Sequence, residues 1–452
     1  MPELRTAFSI GLMAVCVALC GCGGGASLAA GFAPRGATTA QRQRQPATWM
    51  THSSSSGLIQ HVVFIIQENR SFNDLFVGYP GAETQNYGLD QSGNQIPLTS
   101  EPFEIDWNID HNITTFESAF DHGKMDGWNN EAACCGQPQN FAYAYVPLAE
   151  TAPYWDMADQ YVLADKMFQS NVDGSFVAHQ YAIAAYAAQS VNNPTEAWGC
   201  PGGSNTQEQY LLAPERKIAP DTVEPCFNYQ TLGDELDTAG LSWRFYTASI
   251  TGDGNLWTAY QAVDHIYNGP DWAKDVITPQ SQFLTDVSKK GKLAAVTWVT
   301  PTWPNSDHSG SLSNTGPSWV SSLVNTVGES PFWNSTVIFV IWDDWGGWYD
   351  PVKPKRVDYD GLGFRIPMLI ISPYAKHGHV THVHYETASI PRYIEDNFGL
   401  PQLATADARA ADPVTDNLDF SKPPRPFHKI KAPKGSDFFL TQPQSHRAPD
   451  DQ

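Results

Sequence analysis

The chain has 452 residues, 41% of them hydrophobic and 12% aromatic, with 27 Lys and Arg set against 48 Asp and Glu. That composition supports a large packed core, and the formal net charge of −21 excludes a partner that needs a broad basic face, such as duplex nucleic acid. A phosphate-bearing ligand would be repelled at long range by this field, so an anion site here needs its own local positive charge, most simply a metal cation.

The first apolar stretch, AFSIGLMAVCVALC, is too short for a comfortable membrane span and is followed by small residues, the pattern of an export signal. The step LCGC, Leu19 to Cys22, has the form of a bacterial lipobox. Residues 1–22 are therefore read as a lipoprotein-type signal with Cys22 as the lipidated residue. This predicts an exported protein, in the periplasm, on the outer membrane as a lipoprotein, or secreted, with membrane contact through an N-terminal lipid anchor. Residues 23–57 are rich in Gly, Ala, Gln, Ser and Thr without apolar periodicity, and read as a flexible linker.

Ordered structure is expected from residue 58, where HVVFIIQENRSF has the continuous apolar character of a strand buried on both faces. Further runs of this kind begin at Leu293 (LAAVTWVTP), Ser335 (STVIFVIWDD) and Ile366 (IPMLIISPY). Helical patterns lie between them, beginning at Pro153 (PYWDMADQYVLADKM), Phe176 (FVAHQYAIAAYAAQ), Tyr229 (YQTLGDELDTAG), Pro317 (PSWVSSLVNTVG) and Tyr385 (YETASIPRYIEDNF). Such alternation predicts an α/β fold over residues 58–430, with a mainly parallel central sheet and helices on both faces. The remaining 431–452 reads as a polar, loosely ordered tail. Four cysteines follow the signal. The loop-rich settings of Cys200 and Cys226 favour a disulfide between them, and the adjacent Cys134 and Cys135 are either a vicinal disulfide or free thiols.

Open parallel sheets carry functional groups just beyond the carboxyl ends of their strands. The run from His61 ends in Glu68 and Asn69, the run from Ser335 ends in Asp343 and Asp344, and the run from Leu293 leads to Asp307 and His308. Converging, these groups would supply the oxygen ligands of a divalent cation. Two adjacent carboxylates among Trp342, Trp345, Trp348 and Tyr349 call for a cation rather than a solvated turn. Ser175, in NVDGSFVAHQY, falls where a loop enters a helix and the helix dipole favours developing negative charge. It is either a nucleophile or an ordinary helix cap, and its flanks are not the G-x-S-x-G of a hydrolase elbow. His111, His265 and His308 stand in polar loops, as phosphate donors or a general acid would. His377, His379, His382 and His384 read as a solvated run, with metal binding as the alternative.

In this order the segments HVVFIIQENRSFNDLF, GKMDGW, YWDMADQYVLADKMF, TLGDELDTAGLSWRFY, SDHSG, SPFWNSTVIFVIWDDWGGWYD and GFRIPMLIISPYAKHGHVTH resemble a bacterial phosphoesterase family. That family contains phosphatidylcholine-type phospholipases C and a group of acid phosphatases. The resemblance runs from about residue 58 to 428. It implies an alkaline-phosphatase-like α/β sandwich and hydrolysis of phosphate esters, phospholipids among them, with one or more divalent metal ions. It also implies Glu68, Asn69, Ser175, Asp343 and Asp344 as metal ligands, Ser175 as nucleophile through a phosphoseryl intermediate, and His111, His265 and His308 as phosphate-contacting or proton-transferring residues. The chain departs from the phospholipase branch in lacking Pro-Asn-Arg after the nucleophile and in having Pro351 after Asp350. Two other readings stand beside this one: a non-catalytic surface lipoprotein that binds sugars or a partner, and a metal-independent carboxylic esterase using Ser175, His308 and Asp307.

Overall fold

The computed structural model describes residues 57–447, except 196–197 and 215. The signal with Cys22, and the linker up to residue 56, lie outside the described residues. In chain order the elements that frame the site are β1 (His61–Gln67), α1 (Leu148–Gln160), β2 (Val162–Phe168), α2 (Ser175–Ala184), α3 (Leu232–Thr238), β3 (Trp243–Tyr246), β4 (Val276–Ile277), β5 (Val296–Val299), α4 (Gly316–Gly328), β6 (Thr336–Trp342), β7 (Arg365–Ile371), β8 (His379–Thr381), β9 (Tyr385–Glu386), α5 (Ser389–Phe398) and α6 (Ser436–Thr441).

These strands form one sheet in the order β4-β3-β5-β1-β6-β7-β2-β8, with β9 also paired to β2. Every pairing is parallel except those of β7 with β6 and with β2. Every residue of β6 is buried, so both faces of the sheet are covered at its centre. One set of helices includes α1, α4 and α6, with α4 against both others; a second sets α2 against α3 and α5. The apolar runs were strands because neither face reaches water, and the expected mainly parallel α/β sheet is what they build.

Three local expectations are corrected. The run from Ile366 is a strand, but an antiparallel one. The chain leaves the carboxyl end of β6, makes the loop through residues 343–364, and returns directly beside β6, pairing Ile338 with Ile371 and Ile341 with Met368. An apolar run buried on both faces does not encode its direction. The helix expected from Pro153 stops at Gln160, and VLADKMF is the strand β2. Its Asp165 and Lys166 disguised it, yet Asp165 is buried and accepts from the Glu83 amide at 2.9 Å. Residues 431–447 are packed: Phe439 lies on Trp319 with ring centroids 5.2 Å apart, and the Arg447 guanidinium lies 3.8 Å from the Trp303 ring centre. Their few apolar and cationic side chains find aromatic partners on the domain.

Cys200 is bonded to Cys226, as expected, and Cys134 to Cys135. Among the described residues no helix is long and apolar enough to cross a membrane.

Candidate active site

Strands β1 and β6 run parallel with Gln67 opposite Trp342. Their next residues, Glu68 with Asn69 and Asp343 with Asp344, therefore emerge side by side from the carboxyl edge of the sheet. The backbone stitches the two ends together: the Asp343 amide donates to the Gln67 carbonyl at 2.8 Å, and the Asn69 amide donates to Asp343 Oδ1 at 2.9 Å. All four side chains are buried.

Ser175 is the first residue of α2, whose cap is Gly174. Its hydroxyl does not cap the helix but faces the carboxylates, with Oγ 3.2 Å from Asp344 Oδ2 and 3.5 Å from Glu68 Oε2. One turn later, His179 places Nε2 3.1 Å from Glu68 Oε1 and 3.8 Å from Asp343 Oδ2. Carboxylate oxygens of Glu68 and Asp343 and a ring nitrogen of His179 all lie within 4.8 Å of one another. His179 was missed in the sequence, although its position four residues after Ser175 puts both on one helix face.

His111 stands on the other side. Its Nδ1 lies 2.8 Å from the Ile109 carbonyl, so that nitrogen carries the proton and Nε2 is the acceptor. The Asn69 amide nitrogen, 2.8 Å away, donates to Nε2. This turns Asn69 Oδ1 out as the free end of the amide, and that oxygen is buried and accepts no hydrogen bond. His111 Nε2 is also 3.7 Å from Asp344 Oδ2.

Burial, then the Asp343 carboxylate beside it, pushes the Asp344 carboxyl well above its usual range. Burial also works against ionisation of Asp343, but the charge of His179, hydrogen bonds with Glu68 and Ser175 and the Asn69 amide together outweigh it and hold that carboxyl low. Burial lowers His179 to about 4 against the pull of Asp343. The buried guanidinium groups nearby are committed elsewhere, Arg70 to Asp74 at 3.2 Å and Arg365 to Asp350 at 3.0 Å. Adjacent buried carboxylates met by backbone amides and the Ser175 hydroxyl, with the Asn69 amide oxygen left without a donor, form with His179 a donor set that fits a divalent cation.

Two glycines make this packing possible. Gly346 has φ of 60°, donates its amide to Asp344 Oδ1 at 2.7 Å, and passes so close to β1 that an added Cβ would lie 2.1 Å from the Asn69 carbonyl oxygen. A Cβ on Gly347 would meet Ile109 at 2.2 Å. The surrounding tryptophans are core rather than an open aromatic cage: Trp342, Trp345 and Trp348 are fully buried, and Arg70 covers Trp348 at 4.7 Å.

His308 is buried against Trp303, with ring centres 4.3 Å apart, and lies 6.0 Å from His111. Its Nδ1 donates to the Ser309 carbonyl at 2.6 Å. His265 is not brought to the cluster. Its two nitrogens contact Asn228 and Asp234 in an exposed setting. Asp307 does not orient His308 either, because its carboxylate is taken by Tyr154 and Trp342. With Ser175 on carboxylates rather than on an imidazole, the Ser175, His308 and Asp307 esterase arrangement is not formed. His377, His382 and His384 are exposed, as a solvated run would be, but His379 is half-buried and His382 Nδ1 lies 2.9 Å from the buried Asp165 carboxylate. A surface cavity of about 880 Å³ lined by Phe120, Lys353 and Arg356 contains none of the clustered groups; the chemistry, not the concavity, marks the site.

The Phosphoesterase family profile matches residues 59–401. Phospholipase C B of Mycobacterium tuberculosis is 24% identical over 442 residues, which cover 81% of this chain and 79% of that protein. Non-specific phospholipase C3 of Arabidopsis thaliana is 22% identical, over 78% of this chain and 72% of that one. Among solved structures, an alkaline phosphatase superfamily protein from Vibrio parahaemolyticus matches 81% of this chain and 71% of its own at 10% identity, with a TM-score of 0.37.

Proposed function

This chain belongs to the Phosphoesterase family, and on that premise we propose that it hydrolyses phosphate esters through Ser175, with the phosphodiester of a phospholipid as its substrate class. The observation that carries the reading is the Ser175 hydroxyl at the start of α2, within 3.5 Å of Glu68 and Asp344. The substrate class rests on the relatives named phospholipase C.

Glu68, Asn69, Asp343 and Asp344 would hold a divalent cation, with Ser175 and His179 at its margin. Bound there, the cation would lower the hydroxyl pKa of Ser175 and supply positive charge to the phosphoryl group. Ser175 Oγ passes its proton to Asp344 Oδ2, 3.2 Å away, and bonds to phosphorus as the bond to the leaving oxygen breaks, forming a phosphoseryl ester. His308 delivers a proton to the leaving oxygen, then accepts one from the water that attacks the phosphoseryl ester, while Asp344 returns its proton to Ser175 Oγ as that bond breaks. His111 holds the Asn69 amide so that its oxygen, not its nitrogen, faces the cation. His265 takes no part. A donor set of oxygens and one imidazole suits several divalent ions.

Export through residues 1–22 and lipidation at Cys22 belong to the same proposal and rest on the lipobox-like LCGC. Mass spectrometry of the mature N-terminus tests them. For the reaction, turnover of nitrophenyl phosphorylcholine is stopped in acid and the digest examined by mass spectrometry. A phosphorylcholine adduct on Ser175, lost in Ser175→Ala, is expected; an adduct elsewhere, or undiminished turnover by Ser175→Ala, would rule the scheme out.

A further inference from the structure

Asp307 is buried at a positive φ of 71°, a conformation that costs a residue with a Cβ. One carboxylate oxygen gathers three donors. Oδ2 accepts from the Tyr154 hydroxyl at 2.6 Å and from Trp342 Nε1 at 3.1 Å, and Gln67 Nε2 lies 3.5 Å away. Its backbone carbonyl accepts from Arg70 Nε at 2.8 Å. Room for this carboxylate is kept by Gly316 at the start of α4, where a Cβ would sit 1.9 Å from Asp307 Oδ1.

Gln67 and Trp342 are not arbitrary partners. They are the last residues of β1 and β6, paired across the sheet, and each immediately precedes a pair of clustered side chains. A buried carboxylate is costly unless its hydrogen bonds are met. Here it joins the two strand ends whose separation sets how closely Glu68 and Asn69 approach Asp343 and Asp344. Mutating the groups that hold a metal's ligands in place typically costs about 10- to 100-fold in metal affinity or activity.

We propose that Asp307 is a positioning residue for the metal site, tying Gln67 to Trp342 so that the two ligand pairs converge. This rests on the metal-site reading given above. The Asp307 carboxylate thus reaches the ligand pairs through Gln67 and Trp342, with Tyr154 of α1 anchoring it from behind.

The test is titration of the purified protein with Mn²⁺, Zn²⁺ and Ca²⁺, together with the electron paramagnetic resonance spectrum of bound Mn²⁺. Asp307→Asn keeps the size of the side chain but places an amide nitrogen among donors. It is expected to weaken metal binding about tenfold, to alter the Mn²⁺ spectrum, and to regain turnover when the metal concentration is raised. Tyr154→Phe removes one donor and should weaken binding by a smaller factor, about fivefold. A folded Asp307→Asn with unchanged metal affinity and spectrum overturns the inference. If Asp307→Asn does not fold, Tyr154→Phe decides, and unchanged affinity there overturns it. Wild-type protein that binds none of the three ions refutes the metal-site reading itself, and the inference with it.

Discussion

The side-chain nitrogen of Asn69 lies 2.8 Å from Nε2 of His111, whose Nδ1 is itself 2.8 Å from the Ile109 carbonyl. A carbonyl can only accept, so the chain of bonds fixes the ring tautomer, and the tautomer fixes which end of the Asn69 amide faces the carboxylates. His111→Ala removes that control. Metal affinity should fall about tenfold, measured by titration against a competing chelator, while kcat at saturating metal falls much less. Unchanged affinity would show that the amide is held by something else.

Ser175→Ala deletes one oxygen from a buried cluster and leaves the strand ends untouched. Turnover should drop by about a thousandfold or more, as removal of a nucleophile does, with metal affinity reduced by less than about tenfold. The two readouts separate a nucleophile from a ligand, since a residue that merely helped to hold the cation would lose both together.

Gly346→Ala tests the turn between the two ligand pairs. The added methyl would meet the Asn69 carbonyl oxygen at 2.1 Å, in a backbone conformation with φ of 60°. Something must move, and both the Asn69 and the Asp344 sides of the site are attached to it. We expect a lower Tm and weaker metal binding together, read by thermal unfolding with and without added metal.

Glu395 gives a pH signature far from the chemistry. Burial, then the neighbouring Asp407, raises its carboxyl to about 10, while both residues face the Leu403 amide. The folded chain thus keeps a proton that the unfolded chain releases near 4.5. The stability contributed by this group is complete below that lower value and is lost progressively as pH rises towards the upper one. Glu395→Gln keeps the shape and cannot ionise. Its Tm should exceed that of wild type at about pH 8.5 and match it at about pH 4.5; equal Tm values at the higher pH would show that the carboxyl is not held neutral.

The readable features of this sequence were those written in consecutive residues. The apolar runs ending in Glu68 and Asn69, or in Asp343 and Asp344, announce strands and their tips, and the register of β1 with β6 brings those tips together. Ser175 was legible because a loop met a helix there. His179 needed helical spacing to be applied to a side chain that looked like core. Strand β2 was hidden by Asp165 and Lys166, whose partners come from distant segments such as Glu83 and His382. The direction of β7 was not legible, because burial on both faces is the same for either direction. His265 looked like its active-site counterparts, and only folding shows it facing Asn228 and Asp234. Asp307 stood beside a histidine in the sequence, yet its carboxylate serves Tyr154 and Trp342.

The central claim is that a metal-dependent phosphoryl transfer takes place at Ser175. It is tested most directly by initial rates on nitrophenyl phosphorylcholine and nitrophenyl phosphate, before chelation, after it, and after readdition of single divalent ions. The account predicts turnover of the diester that chelation abolishes and one added ion restores, with Asp343→Asn inactive throughout. Phosphate-ester turnover that survives complete removal of metal, or none on either substrate with any ion supplied, would contradict it.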